Sequence, residues 1–180
     1  DEADKMRELR RALEKVAGPT IVFTRSKDKA TRVFRQLHSS GFYDIAQIHS
    51  DLQQQHREQA LADFKSGKVR ILIATDVAGR GIHVDGIEHV VNYDLPMEAE
   101  DYIHRIGRTG RAQAKGIATS FITGGDTMVL KRIRQLVGKP IPGLDEPTDG
   151  APAGEGRDRG PRGGGGRGGR DRPERGTVAP

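Results

Sequence analysis

Apolar positions follow two different periods along the first 137 residues, and the alternation between them defines the elements. Met6, Leu9, Leu13 and Val16 recur at helical spacing and predict a leading amphipathic helix over 1–17, broken by Gly18-Pro19. Thr20-Ile21-Val22-Phe23-Thr24 is a short, nearly continuous apolar run, the pattern of a strand buried on both faces. A helix is predicted over 27–39, with Ala30, Val33, Phe34 and Leu37 inward and Gly41 as its stop. A second strand follows over 44–49. The next helix, over 53–64, buries Ala60, Leu61 and Phe64 and stops at Gly67. Strands are predicted over 70–75, 88–93 and 116–123, with Leu95-Pro96 closing the middle one. Helices are predicted over 98–104 and 126–137, the last with Met128, Val129, Ile133 and Leu136 apolar.

Strands alternating with helices at this spacing imply βαβ units, and so an α/β fold with a mostly parallel sheet covered by helices on both faces. Ligands of such sheets sit beyond the carboxyl ends of the strands. The polar stretches fall at those ends: Thr24 to Lys27 after the first strand, His49 to Gln54 after the second, Thr75 to His83 after the third.

Composition divides the chain at about residue 139. From Pro140 apolar residues nearly vanish, and a tail over 140–180 is expected to be disordered because it cannot bury enough surface to offset its ordering entropy. Residues 157–175 hold seven arginines against three acids, a net of +4, among glycines. Segments of this kind bind single-stranded nucleic acid through phosphate charge and guanidinium stacking on bases, and RNA contact is expected here over a merely solubilising tail. A net charge of +5 for the whole chain also favours an anionic partner. Without cysteine there is no disulfide framework or thiolate metal site, and the six histidines lack ligand spacing, so no metal is expected to be held by this chain. No long apolar run or signal segment is seen, so no membrane association is expected and the chain is expected in the cytoplasm.

The densest chemistry lies in His104-Arg105-Ile106-Gly107-Arg108-Thr109-Gly110-Arg111. Arg108 and Arg111 are three apart, and on a helix end their guanidiniums would point the same way. Two converging forks on a glycine-hinged turn suit the terminal phosphates of a nucleoside triphosphate, where charge develops during phosphoryl transfer. Arginine count alone also fits an exposed basic loop. The opening Asp1-Glu2-Ala3-Asp4 spells a magnesium-binding tetrad, but no buried strand stands before it in this sequence and no G-x-x-x-x-G-K-[ST] stretch occurs. It reads as acids at a helix N-terminus.

Four stretches together resemble one family. Ile21 to Lys27 resembles its motif IV, and His49 to Arg57 its Q-x-x-R motif, with Gln54 and Arg57 as the named pair. Ala74 to Ile82 resembles motif V, and His104 to Arg111 matches motif VI in full. In this order they are similar to the C-terminal RecA-like lobe of DEAD-box ATP-dependent RNA helicases, and the tail resembles those of bacterial RhlE-like members. The resemblance implies two lobes closing over ATP and RNA. The other lobe would supply the phosphate loop and the carboxylates for Mg2+. It further implies Arg111 as an arginine finger and Arg108 as a second γ-phosphate contact. His104, Arg105, Asp76 and Arg80 would couple the lobes, with Asp76 orienting the motif V and VI loops and Arg80 either bridging the lobes or facing RNA. Ser26, Lys27, Gln54, Arg57, Thr75 and Gly81 would face RNA.

The sequence departs from the family pattern at three places. His83 stands where an Asp is expected to meet the ATP ribose, with Asp85 two residues on as a substitute. Gly79 replaces a common Ala and is expected to loosen its loop. Ser50 replaces a common Gly. Two other readings compete: a non-enzymatic RNA-binding module, and a lobe of a DNA-directed superfamily 2 helicase. The paired Arg108 and Arg111 argue against the first, since a pure binding module has no use for a γ-phosphate sensor.

Overall fold

In the computed structural model, residues 1–80, 82, 84–110 and 116–138 are described. Helix α1 (Glu2–Lys15) opens with Asp1 as its cap, whose Oδ1 accepts from the Asp4 backbone N–H at 2.8 Å. The Asp-Glu-Ala-Asp tetrad is thus a capping box at a helix N-terminus, as its placement suggested. The chain continues through β1 (Thr20–Thr24), α2 (Lys27–Ser39), β2 (Ile45–Ile48), α3 (Gln54–Lys65) and β3 (Ile71–Thr75). Then come α4 (Asp76–Gly79), β4 (His89–Asn92), α5 (Ala99–Ile106), β5 (Ile117–Ser120), a 3-10 turn (Gly124–Asp126) and α6 (Thr127–Val137).

The five strands form one parallel sheet in the order β2-β3-β1-β4-β5. Alternate residues of each buried strand serve opposite faces. Val22, Ile71, Ile73 and Val91 pack with Met6, Leu9 and Leu13 of α1 and Ala30, Val33 and Leu37 of α2. Ile21, Phe23, Leu72, Ala74 and Val90 pack with Ala60 and Phe64 of α3 and Ala78 of α4. A third cluster joins Leu95, Ala99 and Tyr102 to Ile133 of α6.

Two expectations change. The stretch after β3 begins as a single helical turn, α4, too short to show apolar periodicity. Helix α6 turns only part of its apolar set inward: Ile133 is buried and Val129 half-buried, but Met128 and Leu136 are 68% and 49% exposed. The tail predicted over 140–180 lies outside the described residues.

The connection leaving β1 runs to one side of the sheet, to β2, and that leaving its neighbour β4 runs to the other, to β5, while the connection from β3 to β4 crosses β1. Such a switch point opens a crevice at the carboxyl ends of the strands, between β3 and β4 and above β1.

Candidate functional site

That crevice is filled by Arg105. Its Nε and Nη2 donate to the two carboxylate oxygens of Asp76, which follows β3, at 2.6 and 2.7 Å. Its Nη1 donates to Asn92 Oδ1 at 2.9 Å and to the Asp94 carbonyl at 2.6 Å, both at the end of β4. The guanidinium also lies 5.0 Å from the centre of the Phe23 ring of β1. Three strand ends are thereby pinned by one side chain that is 2% exposed. Arg105, expected to couple the lobes, makes these bonds within this lobe. Asp76 is its fork-to-fork partner, binding the motif V stretch to the motif VI helix.

Gly79, expected to loosen this stretch, is buried against Phe23. A Cβ there would stand 2.6 Å from Phe23 Cε1, so the glycine serves close packing.

The helix ends just beyond Arg105. Gly107 N–H returns to the Ile103 carbonyl at 2.9 Å, and Arg108 and Thr109 N–H to the carbonyls of Arg105 and Ile106 at 3.1 and 3.2 Å. Gly110 then takes a left-handed φ of 70°, a value costly for any residue with a Cβ. Arg108 Nη1 donates to the Ile82 carbonyl at 2.7 Å, which fastens the turn to the motif V stretch. Thr109 Oγ1 donates to the Ile87 carbonyl at 2.6 Å. Arg111, Gly81 and His83 lie outside the described residues.

Arg80, His104 and Arg108 surround a shallow cleft floored by Phe23 and Gly79. Arg80 Nη2 stands 3.2 Å from both carboxylate oxygens of Asp101, and His104 Nδ1 is 3.7 Å from the same carboxylate. Asp85 is exposed.

Of the residues expected to face RNA, the described ones, Ser26, Lys27, Gln54, Arg57 and Thr75, follow or end β1, β2 and β3 at the same sheet edge. Ser26 caps α2, its Oγ accepting from Lys29 N–H at 3.3 Å. Lys27 Nζ meets Asp51 Oδ2 at 2.7 Å, joining the loops after β1 and β2. The hydrogen bond and charge of each partner raise the Lys27 amine and lower the Asp51 carboxyl from their ordinary values. Gln54 Nε2 donates to Glu58 Oε1 at 2.8 Å, while Arg57 Nη1 donates to Gln54 Oε1 at 3.4 Å and its buried Nε has no partner among the described residues. Thr75 ends β3 and is 8% exposed.

Four residues that the motifs did not single out carry the frame. Asp94 Oδ1 accepts from Lys5 and Lys29, each at 3.1 Å, and its Oδ2 accepts from Arg25 N–H at 3.1 Å. Arg25 Nη2 reaches the Leu95 carbonyl at 3.3 Å and Asp126 Oδ1 at 3.2 Å. Asn92 receives Arg105, and Asp101 receives Arg80. Polar residues closing an apolar strand, as Asn92 and Asp94 do, are the signal that would have found two of them.

Among the described residues, no group of three or more His, Cys, Asp or Glu is placed to hold a metal. Among the described acids at this edge, half-buried Asp76 and buried Asp94 are already paired with protein cations, so this pair does not fit a magnesium ion. No helix among the described residues is long and apolar enough to cross a membrane.

Comparison with known proteins agrees with this geometry. Residues 4–113 match the helicase conserved C-terminal domain. The chain is 45% identical over 128 residues to the ATP-dependent RNA helicase RhlB of Pseudomonas syringae, covering 71% of this chain and 32% of that protein. It is 46% identical over 138 residues to the ATP-dependent RNA helicase dbp2 of Aspergillus niger, covering 76% and 24%. A DEAD box protein from Methanococcus jannaschii superposes with a TM-score of 0.72 at 40% identity, over 78% of this chain and 39% of that one. S. cerevisiae Dbp5 bound to RNA and ADP BeF3 gives 0.72 at 36% identity, over 78% and 38%. The chain therefore belongs to the helicase C-terminal domain family. Within it, this is the C-terminal RecA-like lobe of the DEAD-box RNA helicases. The chain spans about a quarter to a third of the length of the curated relatives it matches.

Proposed function

We propose that this lobe closes over ATP carried by a phosphate-loop lobe of the same protein and couples its hydrolysis to RNA duplex unwinding in the cytoplasm. The observation that supports the reading is the joining of motifs V and VI through Arg105–Asp76 and Arg108–Ile82 at the switch-point edge. That frame presents arginine forks at the rim, where ligands of parallel sheets bind.

ATP is the substrate. Arg108 and Arg111 meet its γ-phosphate and stabilise the charge that develops on the transferred oxygens. His83, with Asp85 nearby, takes the place next to the ribose, and imidazole can hydrogen-bond a hydroxyl there. Mg2+ belongs to the phosphate-loop lobe. On the neighbouring loops, Ser26, Lys27, Gln54, Arg57, Thr75 and Gly81 grip the RNA backbone with hydroxyls, an amide, positive charge and backbone N–H. His104 and Arg80 reach across to the other lobe, while Arg105 and Asp76 carry the coupling from inside. Closure bends one RNA strand so that its duplex partner is lost, and hydrolysis reopens the cleft. The arginine-glycine tail adds sequence-tolerant RNA contact, and its composition is the ground for placing the protein among RhlE-like members.

The test is phosphate release from ATP, with and without single-stranded RNA. It compares the chain alone with the chain joined behind a phosphate-loop lobe of the family already shown to be active with another C-terminal lobe. Silence alone and RNA-dependent turnover in the joined protein are expected. Arg111→Ala is expected to lower that turnover by about 10³–10⁵ while RNA affinity stays within a few fold. Silence in both samples with tight RNA binding would establish the binding-module reading instead.

A further inference from the structure

The seam between α4 and α5 is built from two crossed ion pairs. Asp76 and Arg80 lie at positions i and i+4 on one side, and Asp101 and Arg105 at i and i+4 on the other. The inner pair runs from Asp76 to Arg105 and the outer pair from Arg80 to Asp101. Each segment thus contributes one acid and, four residues on, one arginine, and the acid of each meets the arginine of the other.

The outer pair is asymmetric in a way the inner one is not. Asp101 keeps only 18% of its side chain exposed, against 64% for Arg80 and 67% for His104. The carboxylate is rooted in the first turn of α5, where a helix favours negative charge. His104 sits one turn along the same helix face and shares that carboxylate. Arg80 and His104 are the exposed ends of these contacts. A largely buried acid between two exposed side chains sets where they point, and these are the two side chains read above as crossing to the other lobe. Asp76, the cleft's other acid, already has both carboxylate oxygens bonded to Arg105.

We propose that Asp101 is a positioning residue of the ATP-closing site, holding Arg80 and His104 in the orientation that the other lobe meets. The inference rests on the proposed lobe closure. Asp101 touches no reacting atom in it. Its removal also leaves the cleft one unit more positive, which favours a polyanion such as ATP. Positioning and charge therefore push the two kinetic constants apart: kcat falls, and KM for ATP does not rise.

The experiment is steady-state ATP hydrolysis at saturating RNA in the complete two-lobed protein, comparing Asp101→Asn and Asp101→Glu with the parent. Nucleotide-free RNA affinity and the thermal midpoint are measured alongside. Asp101→Asn is expected to lower kcat roughly three- to tenfold, the scale of losing two exposed charge contacts. KM for ATP should be unchanged or lower, with RNA affinity and midpoint unchanged. Asp101→Glu should recover at least half of the lost kcat. An unchanged kcat overturns the proposal. So does a fall in kcat with a raised KM and a lowered midpoint, which marks a merely structural side chain, or a Glu variant no better than Asn. If the parent itself shows no RNA-dependent turnover, lobe closure fails and the inference falls with it. Turnover in the parent without the split sinks the inference alone.

Discussion

Arg105 and Arg80 face carboxylates across the same seam, but one is a fixture and the other an arm. Arg105 is 2% exposed and makes four hydrogen bonds to three residues. Arg80 keeps 64% of its side chain in solvent and meets Asp101 from one nitrogen, at 3.2 Å to each oxygen. A buried pair carries a large desolvation cost, so losing one partner strands a charge and is severe. An exposed pair is screened and holds about 0–1 kcal/mol. The same two residue types thus do opposite work: the inner pair fixes the crevice, and the outer pair is held loosely.

The sharpest way to break the contrast is to remove the fixture. Arg105→Ala leaves Asp76 and Asn92 without their donor, and the expected loss is about 3–5 kcal/mol of folding stability. For a chain of this size that is a fall in the thermal midpoint of roughly 10 °C, readable by calorimetry. Arg105→Lys restores a charge but not the planar fork, and should recover less than half of the loss. A midpoint within a degree or two of the parent in Arg105→Ala would show that the crevice does not depend on this side chain.

Gly79→Ala tests the floor beneath the fixture. A methyl group 2.6 Å from Phe23 Cε1 must push a ring that is itself 2% exposed and under the Arg105 guanidinium. Overpacking of this kind costs about 1–3 kcal/mol, while Ala gains up to about 1 kcal/mol in helix propensity. A net loss of about 1–2 kcal/mol is expected in urea unfolding. A stabilised variant would mean that the ring has room and that Gly79 does loosen its turn, as its sequence context suggested.

These two residues also mark how far the sequence could be read. The elements were legible because two periods and a set of Gly and Pro stops encode them: β1 and α2 fall within 20–24 and 27–39, the predicted bounds. The motif stretches were legible because polar residues after apolar strands gather at one edge. Whether an arginine is buried was not legible. Arg105 and Arg108 look alike in the string, and only the crossing of β3 to β4 over β1 makes a crevice for the former. The lysine pair on Asp94 was hidden for a related reason, since Lys5 and Asp94 are 89 residues apart and meet only through the packing of α1. Met128 and Leu136 show the converse: helical periodicity marks an apolar face but not which part of it finds a partner.

Asp94 holds the fixture from behind, because its carbonyl accepts from Arg105. Burial alone would raise its carboxyl, but hydrogen bonds from Arg25 N–H and Lys29, with the Lys5 charge, outweigh it and hold the group below its ordinary value. The folded value is therefore lower than the unfolded one of about 3.9. The stability this gives is complete above about pH 3.9 and is lost as pH falls through the folded value. Urea unfolding at several pH values should show a shallower acid limb in Asp94→Asn than in the parent. Parallel limbs would mean that the lysines do not act on this carboxylate.

The smallest expected effect is the most telling for the comparison. Arg80→Gln removes the arm and leaves Asp101 at the partly exposed edge of the cleft, where water can solvate it. Folding stability should move by no more than about 0.5–1 kcal/mol, within the range of an exposed pair. The turnover of the complete protein, by contrast, should fall further than in Asp101→Asn, because the arm itself is gone and not only its rest. Large instability in Arg80→Gln would place Arg80 with Arg105 as part of the frame. Unchanged stability with unchanged turnover would leave the outer pair without a task. Only the split, a stable lobe that closes poorly, fits a seam whose inner pair is fixed and whose outer pair is meant to move.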